Sequence, residues 1–85
     1  MKKENQLFWC VYLLKCCDNK IYTGCTSNLD KRLAAHKQGK VSFTGTRLPF
    51  QLITFISFNE RRRAFKFEKY LKSGSGKAFS QKRFI

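Results

Sequence analysis

The stretch Phe8-Trp9-Cys10-Val11-Tyr12-Leu13-Leu14-Lys15-Cys16-Cys17-Asp18-Asn19-Lys20-Ile21-Tyr22-Thr23-Gly24 holds two short apolar runs separated by a polar turn. Residues 8–15 are aromatic, β-branched and aliphatic with almost no polar alternation, which predicts a strand buried on both faces. Asp18-Asn19 is good turn chemistry, because both side chains bond locally to the backbone and Asn tolerates a left-handed conformation. Ile21 to Gly24 then predicts a second strand, and the pair an antiparallel hairpin. Side chains alternate across a strand, so Phe8, Cys10, Tyr12 and Leu14 share one face while Trp9, Val11 and Leu13 share the other. Tyr12 and Tyr22 lie in facing strands and are expected to approach each other across the hairpin.

Outward from the hairpin, Thr26-Ser27-Asn28-Leu29-Asp30 announces a helix, with Ser27 as the expected cap and Asp30 three residues later to answer it. The helix is expected to run to about Gln38 and stop at Gly39, with Leu29 and Leu33 on its apolar stripe and Arg32 and His36 flanking it at i, i+4. Residues 39–50, rich in Gly, Thr and basic groups and closed by Pro49, read as a loop. Residues 51–58 predict a third strand. Asn59 is the expected cap of a second helix over about 60–72, whose apolar members Ala64, Phe67 and Leu71 fall at i, i+3 and i+7. Ser73-Gly74-Ser75-Gly76 reads as a break. The basic tail from Lys77 to Ile85 is expected to form a last helical turn or two docked by Ala78, Phe79 and Phe84. The expected fold is α+β, a three-stranded antiparallel sheet flanked by helices in the order β-β-α-β-α(-α), forming one domain over 1–85 with its core at about 8–83.

Charge dominates the composition. Eighteen Lys and Arg stand against five acids, a net charge of +13, while 42% of the chain is hydrophobic, enough for a folded core. Such an excess repels itself in the compact state, so a polyanion is the natural partner, and nucleic acid ranks first. A membrane surface ranks far behind, because the basic residues are scattered from Lys2 to Arg83 and no helix separates them from apolar ones. Met1-Lys2-Lys3 before Leu7 to Leu14 imitates a secretory signal only faintly: Lys15 interrupts the apolar run and no cleavage site follows. A cytoplasmic protein is expected. The four cysteines (Cys10, Cys16, Cys17, Cys25) lack any C-x2-C pair, and His36 is the one histidine, so reduced thiols are expected rather than a zinc site.

With so few acids, catalytic carboxylates are easily surveyed. Glu4 lies near the terminus, Asp18 in the turn, Asp30 and Glu60 at helix starts. Glu68 differs, because it sits beside the Ala64–Phe67–Leu71 stripe, and a half-buried carboxylate there needs a cation. A Lys or Arg in a salt bridge and a metal ion both satisfy that need. One carboxylate is too few for a two-metal nuclease, so a nuclease built on it would use one ion. Tyr12 and Tyr22 read either as core tyrosines with satisfied hydroxyls or as acid–base groups in a cationic setting.

In this order the residues resemble the GIY-YIG endonuclease domain, found in homing endonucleases, in a DNA-repair nuclease and in small stand-alone bacterial proteins. The resemblance covers about Phe8 to Arg83. The first tripeptide stands as Val11-Tyr12-Leu13 and the second as Tyr22-Thr23-Gly24. Arg32 in Ser27-Asn28-Leu29-Asp30-Lys31-Arg32-Leu33 matches the family's helical Arg, His36 a His one turn later, Pro49 the Pro before the third strand, and Glu68 the metal-binding Glu. The resemblance implies a DNA endonuclease with one Mg2+ or Mn2+ held by Glu68 and no other small-molecule cofactor. It further implies Arg32 on the scissile phosphate, Tyr12 as general base for a water that Tyr22 orients, and His36 relaying protons or touching the phosphate.

This sequence departs from the family in three places. Cys25 follows the second motif where some members have Lys, Phe43 stands where a Tyr or His is frequent, and no late Asn is evident around Ser73 to Ser80. Lys31, Lys40, Arg47, Lys72 and Lys77 are the foremost of the basic residues expected to track the DNA backbone. No helix-turn-helix or zinc finger is available to read bases, so any sequence specificity would come from a protein partner or a dimer, and structure-directed or weakly specific cutting is the simpler expectation. The competing readings are a binding module on the same fold that no longer cuts, and a small basic RNA- or ribosome-associated protein.

Overall fold

A computed structural model of the protein describes residues 8–85. Glu4 and the Met1-Lys2-Lys3 start lie outside the described residues. The elements run β1 (Trp9–Cys16), β2 (Ile21–Thr26), α1 (Leu29–Lys37), α2 (Ser42–Gly45), β3 (Phe50–Phe58), α3 (Arg61–Lys72) and α4 (Gly74–Arg83). The strands form an antiparallel sheet in the order β2-β1-β3, so β1 is paired on both edges. The expected α+β architecture holds. The apolar run that opened the hairpin is the central strand, and Val11, Tyr12, Leu13 and Leu14 are each at most 1% exposed.

The two faces of β1 do different work. Val11 and Leu13 form the core cluster with Ala64 and Leu71 of α3, and Trp9, Ile21, Phe58, Phe67, Phe79 and Phe84 pack around it. Burying an aliphatic side chain of this size stabilises the fold by about 1.5–3 kcal/mol. Tyr12 and Leu14 project to the opposite face, toward α1. The β1–β3 register shifts between Leu13 and Leu14, where Thr54 and Leu52 are the partners and Ile53 is the extra residue, its side chain in the core cluster.

The turn is as expected: Asn19 has φ 68° and Asp18 Oδ1 accepts from the Lys20 N–H. Several boundaries differ from the sequence expectation. The α1 cap is Asn28, not Ser27; its Oδ1 accepts from the Lys31 N–H at 3.0 Å, and Asp30 takes no part in a capping box. Glu60, not Asn59, precedes α3, and it pairs with Arg63 instead of capping a backbone N–H. The segment expected as loop contains the single helical turn α2, because Pro49 constrains only its own φ and its immediate predecessor.

The expected Ser73–Gly76 break narrows to Ser73 alone. Ser73 ends α3 and caps α4, accepting from the Gly76 N–H at 3.1 Å. Here α4 runs ten residues instead of a turn or two. Gly76 permits the close approach, since a Cβ there would stand 2.5 Å from Leu71 Cα. Phe79 and Phe84 dock as expected, whereas Ala78 is exposed.

Candidate active site

On the α1 face of the sheet, the register places Tyr12 opposite Gly24 and Leu14 opposite Tyr22, so both tyrosines project to the same side. Gly24 supplies the floor. A Cβ on it would stand 2.5 Å from Tyr12 Cζ and nearer still to the hydroxyl oxygen, so the phenol ring lies against bare backbone. The Asn28 cap sets the phase of α1, and Arg32 and His36, one turn apart, then meet the Tyr12 hydroxyl from above. Arg32 Nε donates to the Tyr12 oxygen at 3.4 Å, and His36 Nε2 lies 2.8 Å from it. The other imidazole nitrogen, Nδ1, lies 2.7 Å from Thr44 Oγ1 in α2. Tyr12, His36 and Thr44 are each 0% exposed. The rings of Tyr22 and Phe50 meet His36 edge-on, with centroids 4.8 and 5.9 Å away, and Phe43 packs on Tyr22 at 5.6 Å.

This burial sets the protonation states. Desolvation pushes the Tyr12 phenol up to about 12, against the opposing hydrogen bond from Arg32. The guanidinium is held charged more firmly than usual, chiefly by its hydrogen bonds with Tyr12 and Tyr22. Burial, helped by the Arg32 charge, lowers His36 below its ordinary value. At neutral pH the cluster is therefore a protonated phenol, a neutral imidazole and a cation. His36 is fully buried, with its two ring nitrogens facing Tyr12 and Thr44.

Glu68 is not part of this cluster. It sits on α3, in the layer against the opposite face of the sheet, with a side chain 17% exposed and Oε2 3.0 Å from Lys72 Nζ. The neighbouring thiol is Cys25, whose pKa is pushed up to about 11 by burial and then by the Glu68 charge. Both sequence readings of Glu68 thus retain a footing: the carboxylate is sheltered and has a cation, and it keeps an oxygen free of that ion pair. The two layers meet along β2. A groove of about 570 Å3 runs there, lined by Tyr22 and Phe43 from one layer and Leu71 and Lys72 from the other, with Lys20 and Lys77 beside them. Tyr22 is the partly exposed member of the tyrosine pair.

Of the expected backbone-tracking residues, Lys31, Lys40, Lys72 and Lys77 are exposed. Arg47 is committed elsewhere. Its Nε donates to Asp18 at 3.0 Å, its Nη1 donates to the Phe43 carbonyl at 2.7 Å, and its guanidinium covers the Phe43 ring at 4.3 Å. It clamps the α2 segment to the hairpin turn.

The profile of the GIY-YIG catalytic domain matches residues 8–83. The chain belongs to the GIY-YIG family. It is similar to several UPF0213 proteins: 41% identical over 69 residues to YsiG of Lactococcus lactis, covering 80% of this chain and 64% of that protein. It is 40% identical over 73 residues to YazA of Bacillus subtilis, covering 85% and 71%. The chain thus spans about two thirds of the length of the curated relatives it matches. Its fold is similar to the solution NMR structure of the UPF0213 protein BH0048 from Bacillus halodurans, with a TM-score of 0.57 and 33% identity over 87% of this chain and 80% of that one.

Within the GIY-YIG family frame, the structure brings together Tyr12, Tyr22, Arg32 and His36, and sets Glu68 apart on the other layer. Thr44 was missed by sequence reasoning. A Thr in a Gly- and Thr-rich segment carries no signal of its own, and only the approach of α2 to α1 reveals its bond to His36.

Proposed function

We propose that this protein is a metal-dependent DNA endonuclease whose hydrolytic water is deprotonated through a tyrosine pair into His36. The observation that carries the reading is the buried Tyr12–His36 hydrogen bond beside the Arg32 guanidinium, opening through Tyr22 onto a groove flanked by lysines. A plain core would not gather a fully buried phenol and imidazole beside a half-buried cation. The sequence cast Tyr12 as the base; Tyr12 is 0% exposed, whereas Tyr22 is partly exposed. In the proposal Tyr22 meets the water. Its ring packs beside that of Tyr12, with centroids 6.0 Å apart, and in the proposal the water's proton goes to Tyr22, the Tyr22 proton to Tyr12, and the Tyr12 proton to His36 Nε2.

The water oxygen bonds to phosphorus as the P–O bond to the leaving strand breaks, and the leaving oxygen is protonated from solvent. Arg32 neutralises charge on the phosphate. Lys31, Lys40, Lys72 and Lys77 hold the backbone on either side, and Arg47 stays a structural clamp.

Glu68 fits the family's divalent ion by donor chemistry. Among the described residues no cluster of three metal-ligating side chains exists. A single sheltered carboxylate nevertheless suits Mg2+ or Mn2+, which keep waters and take further oxygens from the phosphate. When bound, the ion stabilises negative charge on phosphate oxygens. Lys72 Nζ pairs with that carboxylate at 3.0 Å.

The test is incubation of the protein with supercoiled plasmid, branched DNA and single-stranded DNA in Mg2+, Mn2+ or EDTA, beside Glu68→Gln. Metal-dependent cleavage is expected, and Glu68→Gln should lose it by about 10²-fold or more while still binding DNA. DNA binding without cleavage in any metal would leave a binding module, and preference for structured RNA would favour the RNA-associated reading. Undiminished cleavage by Glu68→Gln would remove the metal role.

A further inference from the structure

We infer that Thr44 is a positioning residue that fixes the tautomer of His36, so that the imidazole presents a bare nitrogen to the Tyr12 hydroxyl. The inference deepens the endonuclease reading and rests on it for its catalytic consequence.

It starts from hydrogen-bond arithmetic in a site without solvent. A neutral imidazole has one N–H and one lone pair, and the partners decide which nitrogen carries which. Thr44 Oγ1 has a single proton, and the Val41 carbonyl 3.4 Å away can only accept it; with the proton placed there, the hydroxyl accepts from His36 Nδ1 at 2.7 Å. That puts the proton on Nδ1 and leaves the lone pair on Nε2. The other end of the chain agrees. Arg32 Nε is always a donor and occupies an acceptor position on the Tyr12 oxygen, so the phenol proton is free to point at Nε2, 2.8 Å away. The alternative tautomer would aim two donors at the Tyr12 oxygen and strand Thr44 with one proton for two acceptors.

The choice of a hydroxyl at this position has its own logic. The groups facing His36 are Tyr12 from β1, Tyr22 from β2, Arg32 from its own helix, Thr44 from α2 and Phe50 from β3, with no acid among them. A carboxylate in place of Thr44 would stabilise the imidazolium and fill the site before reaction. A hydroxyl orients the ring and leaves it neutral, ready to take the proton that Tyr12 gives up. The arrangement is a hydroxyl–imidazole–orienter chain with an uncharged orienter.

His36 is the one histidine in the chain, so its side-chain 15N resonances are assigned without ambiguity. The experiment records them for the wild type, Thr44→Val and Thr44→Ser, each without substrate, and measures kcat, KM and the pH profile of DNA cleavage. The wild type should show a protonated Nδ1 and a lone-pair Nε2. Thr44→Val should move the proton to Nε2 or mix the tautomers, lower kcat by about 10²-fold with KM little changed, and shift the acidic limb of the profile. Thr44→Ser should restore both readouts. A wild-type imidazole protonated on Nε2 overturns the inference even if Thr44→Val fails to fold. So does a folded Thr44→Val with an unchanged tautomer, or with a changed tautomer and undiminished kcat. A wild type that cuts no DNA refutes the endonuclease reading and, with it, the catalytic consequence, while the resonances alone still decide whether Thr44 sets the tautomer.

Discussion

The glycine of the second tripeptide makes the sharpest test of how sequence becomes site. In Gly24→Ala the new Cβ would stand 2.5 Å from Tyr12 Cζ, whereas carbon atoms rest at about 3.5–4.0 Å. The ring must therefore retreat by about 1 Å. Tyr12 has no exposed surface into which to move, and its neighbours on β1 are equally buried. Added volume in a packed core costs about 1–3 kcal/mol. The functional loss should be larger than the loss of stability. A retreat of that size carries the hydroxyl off its present position 2.8 Å from His36 Nε2, to a separation of at most about 3.8 Å, and spoils the alignment of the bond. Misplacement on that scale costs a catalytic group about 10²-fold. The assay pairs a thermal melt with the rate of plasmid nicking at saturating metal. Gly24→Ala should melt lower, stay folded, bind DNA, and cut at least about 10²-fold more slowly. A variant that nicks at the wild-type rate would refute the reasoning, because the Tyr12 hydroxyl would then have no need of its present position.

Two further outcomes follow from the same cluster. Tyr12→Phe leaves the buried Nε2 of His36 without its partner and should cost about 1–3 kcal/mol, while Tyr22→Phe, at a partly exposed position, should leave stability nearly unchanged. Both should slow cleavage by about 10²-fold or more, and equal cleavage by either variant would remove that tyrosine from the proton path. Because the folded state lowers the pKa of His36, the unfolded chain binds the proton first as pH falls, so stability is lost on acidification below about 6.5. The slope can reach about 1.4 kcal/mol per pH unit, or about 4–8 °C per kcal/mol in melting temperature for a domain of this size. A melting temperature that stays flat between pH 6.5 and 5 would contradict the burial of a neutral imidazole.

Much of this was legible in the sequence because it follows from period. The alternation in 8–15 separates Val11 and Leu13 from Tyr12 and Leu14, and the structure gives one pair to the core and the other to the site. The i, i+4 spacing of Arg32 and His36 put both on the face that meets the sheet, and the Ala64–Phe67–Leu71 stripe singled out Glu68 as the sheltered acid. What was not legible depends on close approach between distant segments. Two glycines in 74–76 argue against a helix locally, but α4 forms there because Gly76 lets it press on Tyr70 and Leu71. Ser27 and Asn28 are equally competent caps, and no local rule separates neighbours. Arg47 looks like any surface cation until Asp18, twenty-nine residues away in sequence, and the Phe43 carbonyl claim it.

The placement of Glu68 imposes a condition on the whole architecture. A proton path on one face of the sheet and a carboxylate on the other can act on one phosphate only where the sheet ends between them. That place is β2, the edge strand, whose Tyr22 and Gly24 face α1 while Thr23 and Cys25 face α3. The groove beside it gathers side chains from both layers, and its Lys72 is the residue that holds Glu68. A strand added to β2 would cover that groove and sever the two halves. A strand or partner added to β3 would leave them joined. On the proposed reading, β2 must therefore keep a free edge, although an unpaired edge is ordinarily a liability for a small sheet. The lysines beside the groove meet both demands, since charge along an open edge discourages strand addition and attracts a phosphate backbone.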